Sequence, residues 1–132
     1  MMNGDFSIPK DLYYTDSHTW LLIEGDIGTI GVTDFAQSEL GEIVFIELPE
    51  KGSEIIQGSA FGTIEAMKTV AELISPISGE VIEKNDSVES EPRQVNSDPY
   101  CDGWMIKISI REPEEVENIL TPEDYKNYIS GE

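Results

Sequence analysis

The stretch from Gly62 to Val81, reading G-T-I-E-A-M-K-T-V-A-E-L-I-S-P-I-S-G-E-V, sets the tightest limit on what this chain folds into. Before Lys68, Phe61, Thr63 and Glu65 interleave with Gly62, Ile64 and Ala66. After it, Val70, Glu72 and Ile74 interleave with Ala71 and Leu73. A period of two is the pattern of β-strands. Two strands separated by so few residues return on each other as a hairpin. The residue midway, Lys68, is then carried to the tip and into solvent.

A lysine at a hairpin tip is open to two readings. One is a surface charge that blunts a sheet edge, since most lysines are exposed. The other is an acyl acceptor, a primary amine on a flexible stem presented to a modifying enzyme. The neighbouring residues favour the second. Glu65-Ala66-Met67-Lys68, followed by Ser75-Pro76-Ile77-Ser78-Gly79-Glu80-Val81, resembles the signature of the biotinyl/lipoyl attachment superfamily: an acid three residues before the lysine and a P-x-x-G-x-V tract after it. The resemblance implies a mainly β fold, a flattened barrel-sandwich hybrid of two half-sheets. Gly41-Glu42-Ile43-Val44 is echoed by Gly79-Glu80-Val81-Ile82, which fits two similar half-sheets related by a pseudo-dyad.

A chain of 132 residues with 39% hydrophobic content fits one domain, 1–132, with a modest core. No apolar run approaches a membrane span, and residues 1–11 have neither a basic start nor an apolar signal region, so a soluble cytoplasmic protein is expected. One cysteine, Cys101, excludes an internal disulfide. Eight basic against twenty-seven acidic residues gives a formal charge of −19. Such a surface is repelled by phosphate backbones and anionic membranes, so neither nucleic acid nor membrane is an expected partner. Partners should present basic docking faces, and the charge itself favours a soluble monomer.

Taken in order, residues 1–11 read as a poorly ordered lead-in and 12–110 as the β core, with the lysine hairpin at 61–75. Trp20 to Ile23 and Ile27 to Val32, joined across Glu24-Gly25-Asp26, predict a first hairpin. Thr33 to Leu40 predicts a short helix, with Asp34 placed to cap, Gln37 three residues on, and Gly41 as a left-handed stop. Gly41 to Leu48 returns to strand, and Ile55 and Ile56 lead into the lysine hairpin. Lys84 to Pro99 is polar and aperiodic and reads as a long surface loop. Trp104 to Ile110 alternates as a last strand. A helical tail at 113–130 begins at Pro113, with Val116, Ile119 and Leu120 on one face. Thr121-Pro122-Glu123-Asp124 then supplies a cap, a first-turn proline and an acid for a final helix carrying Tyr125, Tyr128 and Ile129.

Five further stretches widen the resemblance: Ser17-His18-Thr19-Trp20; Gly31 to Gln37; Leu40 to Pro49; Val95 to Tyr100; and Gly103 to Ile108. With these flanks the chain resembles the glycine cleavage H-protein family. The resemblance implies that Lys68 carries lipoate in amide linkage, placed there by a lipoyl-attaching enzyme. In that family the dithiolane accepts an aminomethyl group from glycine decarboxylase, presents it to the aminomethyltransferase and is reoxidised by dihydrolipoyl dehydrogenase. The carrier itself catalyses nothing. The resemblance also places Glu65 and Glu72 near the attachment site, and Ser17, His18 and Thr19 in a cleft for the arm. Five positions depart from the family pattern: Ala66 and Met67 precede the lysine where Ser-Val is usual, Thr69 follows it where Ala is usual, Thr19 replaces a glutamate, and Glu72 replaces an aspartate. These departures leave an H-like lipoate-binding protein of another pathway, such as sulfur oxidation or lipoyl relay, as the alternative. A biotinyl carboxyl carrier, favoured only by Met67, is a distant third.

His18 is the only histidine, so no multi-histidine metal site is available. A structural hydrogen bond near the arm cleft is its expected role. No EF-hand spacing, glycine-rich phosphate loop or G-x-S-x-G elbow occurs, and Trp20 and Trp104 read as core fillers. An enzyme reading has no constellation behind it.

Overall fold

The computed structural model describes residues 6–131. Among the described residues nine strands form two sheets. The larger has the order β1 (Tyr13–Tyr14), β2 (Thr19–Glu24), β3 (Ile27–Val32), β9 (Ile106–Ile110), β8 (Gly79–Lys84), β5 (Glu54–Ile55). The smaller has the order β4 (Ile43–Glu47), β6 (Ala60–Ala66), β7 (Val70–Ile74). Every pairing is antiparallel. The fold is mainly β with two unequal half-sheets that remain open, and the Gly41 and Gly79 echoes enter one strand in each of them.

The inward residues of both sheets make the main core: Leu21 and Ile30 from the first hairpin, Ile43 and Ile46 from β4, Ile64 and Leu73 from the lysine hairpin, and Val81, Ile106 and Ile108 from the far strands. β2 is buried on its other face as well. There Trp20 joins Leu12, Tyr14, Tyr125 and Ile129 in a second cluster, with Phe6, Ile8 and Phe35 packed against it. Gly31 lies opposite Trp20 in the register, and a Cβ there would meet the indole ring at 2.7 Å. Glycine is what lets the ring lie flat on its neighbouring strand. The indole nitrogen donates to the Pro99 carbonyl at 3.1 Å, which satisfies its one polar atom.

α1 (Asp34–Leu40) is capped by Thr33, whose hydroxyl accepts from the Ala36 amide; Asp34 is the first helical residue. The expected cap is thus one residue too late, because Asp34 is engaged elsewhere: its carboxylate accepts from the Gln37 side chain and from the Ser7 amide. Gly41 ends the helix at φ 80° with its N–H bonded to Gln37.

The expected loop from Lys84 to Pro99 is instead two short helices, α2 (Asp86–Ser90) and α3 (Arg93–Ser97). Asn85 caps the first by accepting from the Ser87 amide, while its own amide nitrogen donates to the Asp102 and Trp104 carbonyls. Val88 and Val95 plug the pair into the main core. β5 pairs with β8 rather than running into the lysine hairpin, and Ile56 is left exposed.

The lead-in divides. Residues 1–5 lie outside the described residues, but Phe6 to Leu12 are anchored. Phe6 packs edge-on against Phe35 at 5.1 Å, Tyr14 donates to the Pro9 carbonyl, and Tyr100 donates to the Ser7 carbonyl.

The tail begins with a 3-10 helix at Pro113–Asn118, and Leu120 then bridges to Tyr14. α4 (Pro122–Ile129) is capped by Thr121 and buries Tyr125 and Ile129, with Tyr128 exposed. Among the described residues no helix is long and apolar enough to cross a membrane.

Candidate functional site

β6 and β7 pair from Ala60 opposite Ile74 to Glu65 opposite Val70. The turn is closed by the Ala66 amide donating to the Thr69 carbonyl at 2.8 Å, and the Met67 amide is held by the Glu42 carbonyl at 3.1 Å. Between these two anchors Lys68 is exposed, as are Met67 and Thr69. Ile64, Ala66 and Leu73 point into the core and fix the hairpin's register, because a one-residue slip would turn them outward. Glu65 and Glu72 point outward and are exposed.

Ser17, His18, Thr19 and Glu72 come together in one cleft of about 130 Å³, walled by Val32, Ala36, Ile64, Ala71 and Leu73. Glu65 does not line it. Thr19 is buried and its hydroxyl is engaged within the fold: it lies 2.8 Å from that of Thr15 and donates to the Ile74 carbonyl at 3.0 Å, tying β2 to the end of β7. Glu39 and Leu40, from the last turn of α1, complete the rim. Sequence reasoning missed Glu39, which sits on a helix whose position relative to the lysine hairpin exists only in the folded chain.

His18 holds a left-handed backbone at φ 69°, unusual for a residue with a side chain. Its amide donates to Thr15 and its carbonyl accepts from Thr33, so the strain is imposed from both sides. Its ring nitrogen Nδ1 shares a 2.8 Å hydrogen bond with the Tyr125 hydroxyl, which in turn lies 2.7 Å from the Thr33 hydroxyl. A donor order running Thr33 to Tyr125 to His18 satisfies all three groups and leaves the imidazole neutral with its proton on Nε2. Burial lowers the imidazole pKa, with Asp16 and Glu39 pulling the other way. Burial likewise raises the Tyr125 phenol. Tyr100 is pushed up to about 12 by its own burial.

Cys101 is exposed and stands apart from this cleft. Among the described residues no cluster of histidine, cysteine, aspartate and glutamate is placed to hold a metal ion.

An exposed lysine at the tip of a β-hairpin, held by backbone bonds on both sides and lying beside a small cleft, is the arrangement of a carrier type of domain. Comparison with known proteins makes this specific: the profile of the glycine cleavage H-protein family matches residues 12–132, and the chain belongs to that family. It is 49% identical to the glycine cleavage system H protein of Carboxydothermus hydrogenoformans over 125 residues, covering 95% of this chain and 96% of that one. The H protein of Rubrobacter xylanophilus is 50% identical over 125 residues, with 95% and 97% covered. A crystal structure of the H protein from Mycobacterium marinum superposes with a TM-score of 0.81 at 34% identity, covering 91% of this chain and 97% of that one.

Proposed function

We propose that this chain is the carrier component of a glycine cleavage system, with lipoate joined by an amide bond to the Nζ of Lys68. The observation that carries the reading is the exposed Lys68, held between two backbone anchors within a family match that runs nearly the full chain. The site suits the group: the amine is free of the core, and the cleft beside the hairpin offers apolar walls with a carboxylate on each rim, Glu39 and Glu72. Once attached, the lipoyl group supplies a disulfide that takes up the aminomethyl unit derived from glycine.

The protein's own residues contribute position. The hairpin holds Lys68 away from the surface, and a long arm on a fixed base raises the effective concentration of its reactive end at each partner. Glu39 and Glu72 give a cationic aminomethyl end a place to rest, a role sized by charge-assisted contacts of about 1–3 kcal/mol. His18 and Ser17 shape the same cleft. On this reading the chain is one domain, works as a cytoplasmic monomer, and serves glycine decarboxylase, the aminomethyltransferase and dihydrolipoyl dehydrogenase in turn.

Peptide mass spectrometry on protein produced with lipoate available, followed by glycine–bicarbonate exchange with glycine decarboxylase, tests the proposal. A lipoyl mass on Lys68 together with exchange is the expected result. A biotinyl mass, or a lipoyl mass without exchange, would overturn it.

A further inference from the structure

The Met67 amide, next to Lys68, hangs on the Glu42 carbonyl at 3.1 Å. What holds that carbonyl in place comes from a different part of the fold. Glu42 is exposed and lies in the connector between α1 and β4. Its carbonyl shares a planar peptide unit with the Ile43 N–H, and in a trans peptide the two point in opposite directions. Asn96, on α3, accepts from that N–H at 3.0 Å through Oδ1. A side chain on one side of the peptide thus aims the carbonyl at Met67 on the other, and rotating the peptide would break both bonds together.

The Asn96 amide grips the connector a second time, its Nδ2 donating to the Gly41 carbonyl at 2.8 Å. Nδ2 also donates to Gln37 Oε1 at 3.0 Å, and Gln37 donates in turn to the Asp34 carboxylate, so the clamp is braced against α1. The Asn96 amide has one productive orientation, because the Ile43 N–H can only donate and the Gly41 carbonyl can only accept. The connector needs this grip. Gly41 sits at φ 80° with open space where a side chain would stand, so packing does not confine it. The far end of the strand is tied separately, the Leu48 amide donating to Glu89 of α2 at 3.2 Å.

We propose that Asn96 is a positioning residue for the carrier: acting through the Glu42–Ile43 peptide, it sets where the turn presents Lys68. The functional half of the inference rests on the lipoyl-lysine reading proposed above. Each bond of the clamp is worth about fivefold in the equilibrium between a held and a released turn. Removing both, in Asn96→Ala, should cut the protection of the Met67 amide against hydrogen exchange roughly 25-fold. A released turn offers each enzyme a smaller competent fraction, so KM for the carrier rises while kcat, set after docking, does not change.

The test follows hydrogen exchange of single amides by NMR on the labelled carrier, then glycine–bicarbonate exchange with glycine decarboxylase on carriers lipoylated to completion. In Asn96→Ala the Met67 protection should fall as stated, and KM should at least double at the parental kcat. The Val81 amide, bonded to the Ser53 carbonyl in the other sheet, reports global stability and should move far less. Asn96→Asp keeps an acceptor for Ile43 but turns a carboxylate oxygen toward the Gly41 carbonyl, so it should release Met67 as well. Glu89→Ala is the control for stability alone: it unties Leu48 and removes an ion pair with Lys84, and it should leave both Met67 and KM at parental values.

Met67 protection reduced by less than fivefold in Asn96→Ala, or reduced only in step with Val81, overturns the clamp. A KM less than doubled, a fall in kcat alone, or an equal rise in KM for Glu89→Ala overturns the positioning role and leaves the carrier reading intact. A lipoylated parent that supports no glycine exchange overturns the carrier reading, while the Met67 measurement still decides the clamp.

Discussion

Replacing Tyr125 by Phe removes one oxygen atom and, through it, the link between the C-terminal helix and the wall of the cleft. The ring would remain, stacked on Tyr14 at 4.8 Å with an interplanar angle of 11°, so packing is conserved and the hydroxyl is isolated as the variable. That hydroxyl makes two hydrogen bonds, 2.8 Å to His18 and 2.7 Å to Thr33, in a side chain with no exposed surface. Each bond contributes about 1 kcal/mol net, and an unpaired buried partner adds its own desolvation cost. Thr33 keeps the Ala36 amide as a partner and half-buried His18 can turn to water, so the loss should stay near 1–3 kcal/mol. For a domain of this size that lowers Tm by roughly 3–9 °C. Thermal denaturation by circular dichroism measures the shift. Thr33→Val then closes a double-mutant cycle, with a coupling of about 1 kcal/mol expected between two groups in one network. A Tm within a degree of the parent, or effects that simply add, would refute the idea that this chain of hydroxyls holds α4 to the cleft.

Lys68→Arg should abolish acylation and glycine exchange while stability stays within about 0.5 kcal/mol, because an exposed tip side chain has no packing to lose; mass spectrometry and a melting curve check both halves. Gly31→Ala forces the Trp20 ring off its strand, with an expected cost of about 1–3 kcal/mol and a changed tryptophan near-ultraviolet signal. His18 supplies a pH test. Its folded pKa lies below the ordinary 6.5, so the unfolded chain binds the extra proton first and stability falls as pH drops from about 6.5 through the folded value. Chemical denaturation across that window should show a slope that His18→Gln removes. Glu39→Gln with Glu72→Gln should leave lipoylation intact yet speed loss of the aminomethyl unit from the loaded carrier, followed as formaldehyde release.

Legibility in the sequence tracked periodicity. The lysine hairpin and the first hairpin announce themselves because one face of each strand is buried and the other is not, which writes a period of two into the residues. α2 and α3 leave no such trace, since each is five residues long and buries one valine, too little for a helical period to show. Phe6 and Ile8 are isolated apolar residues in a polar stretch, and only the second cluster on the outer face of β2 explains them. At the site, the exposed lysine at the hairpin tip was legible from local pattern, whereas the cleft was not. Glu39 and Glu72 line one cleft because the end of a helix and a hairpin come near each other in the folded chain, and the Thr19 hydroxyl reaches the Ile74 carbonyl across two sheets. Such encounters depend on tertiary placement that no local spacing encodes.

The two backbone bonds at the hairpin tip also have a thermodynamic consequence for every encounter the carrier makes. Ordering one flexible backbone residue costs about 1–2 kcal/mol. With the Ala66 to Thr69 and Met67 to Glu42 bonds already in place, the turn is ordered before any enzyme arrives. A partner therefore immobilises only the side-chain arm, and successive partners meet the same pre-set turn. Cutting either tether would shift that entropy into each docking event, weakening all of the partners together rather than any one of them.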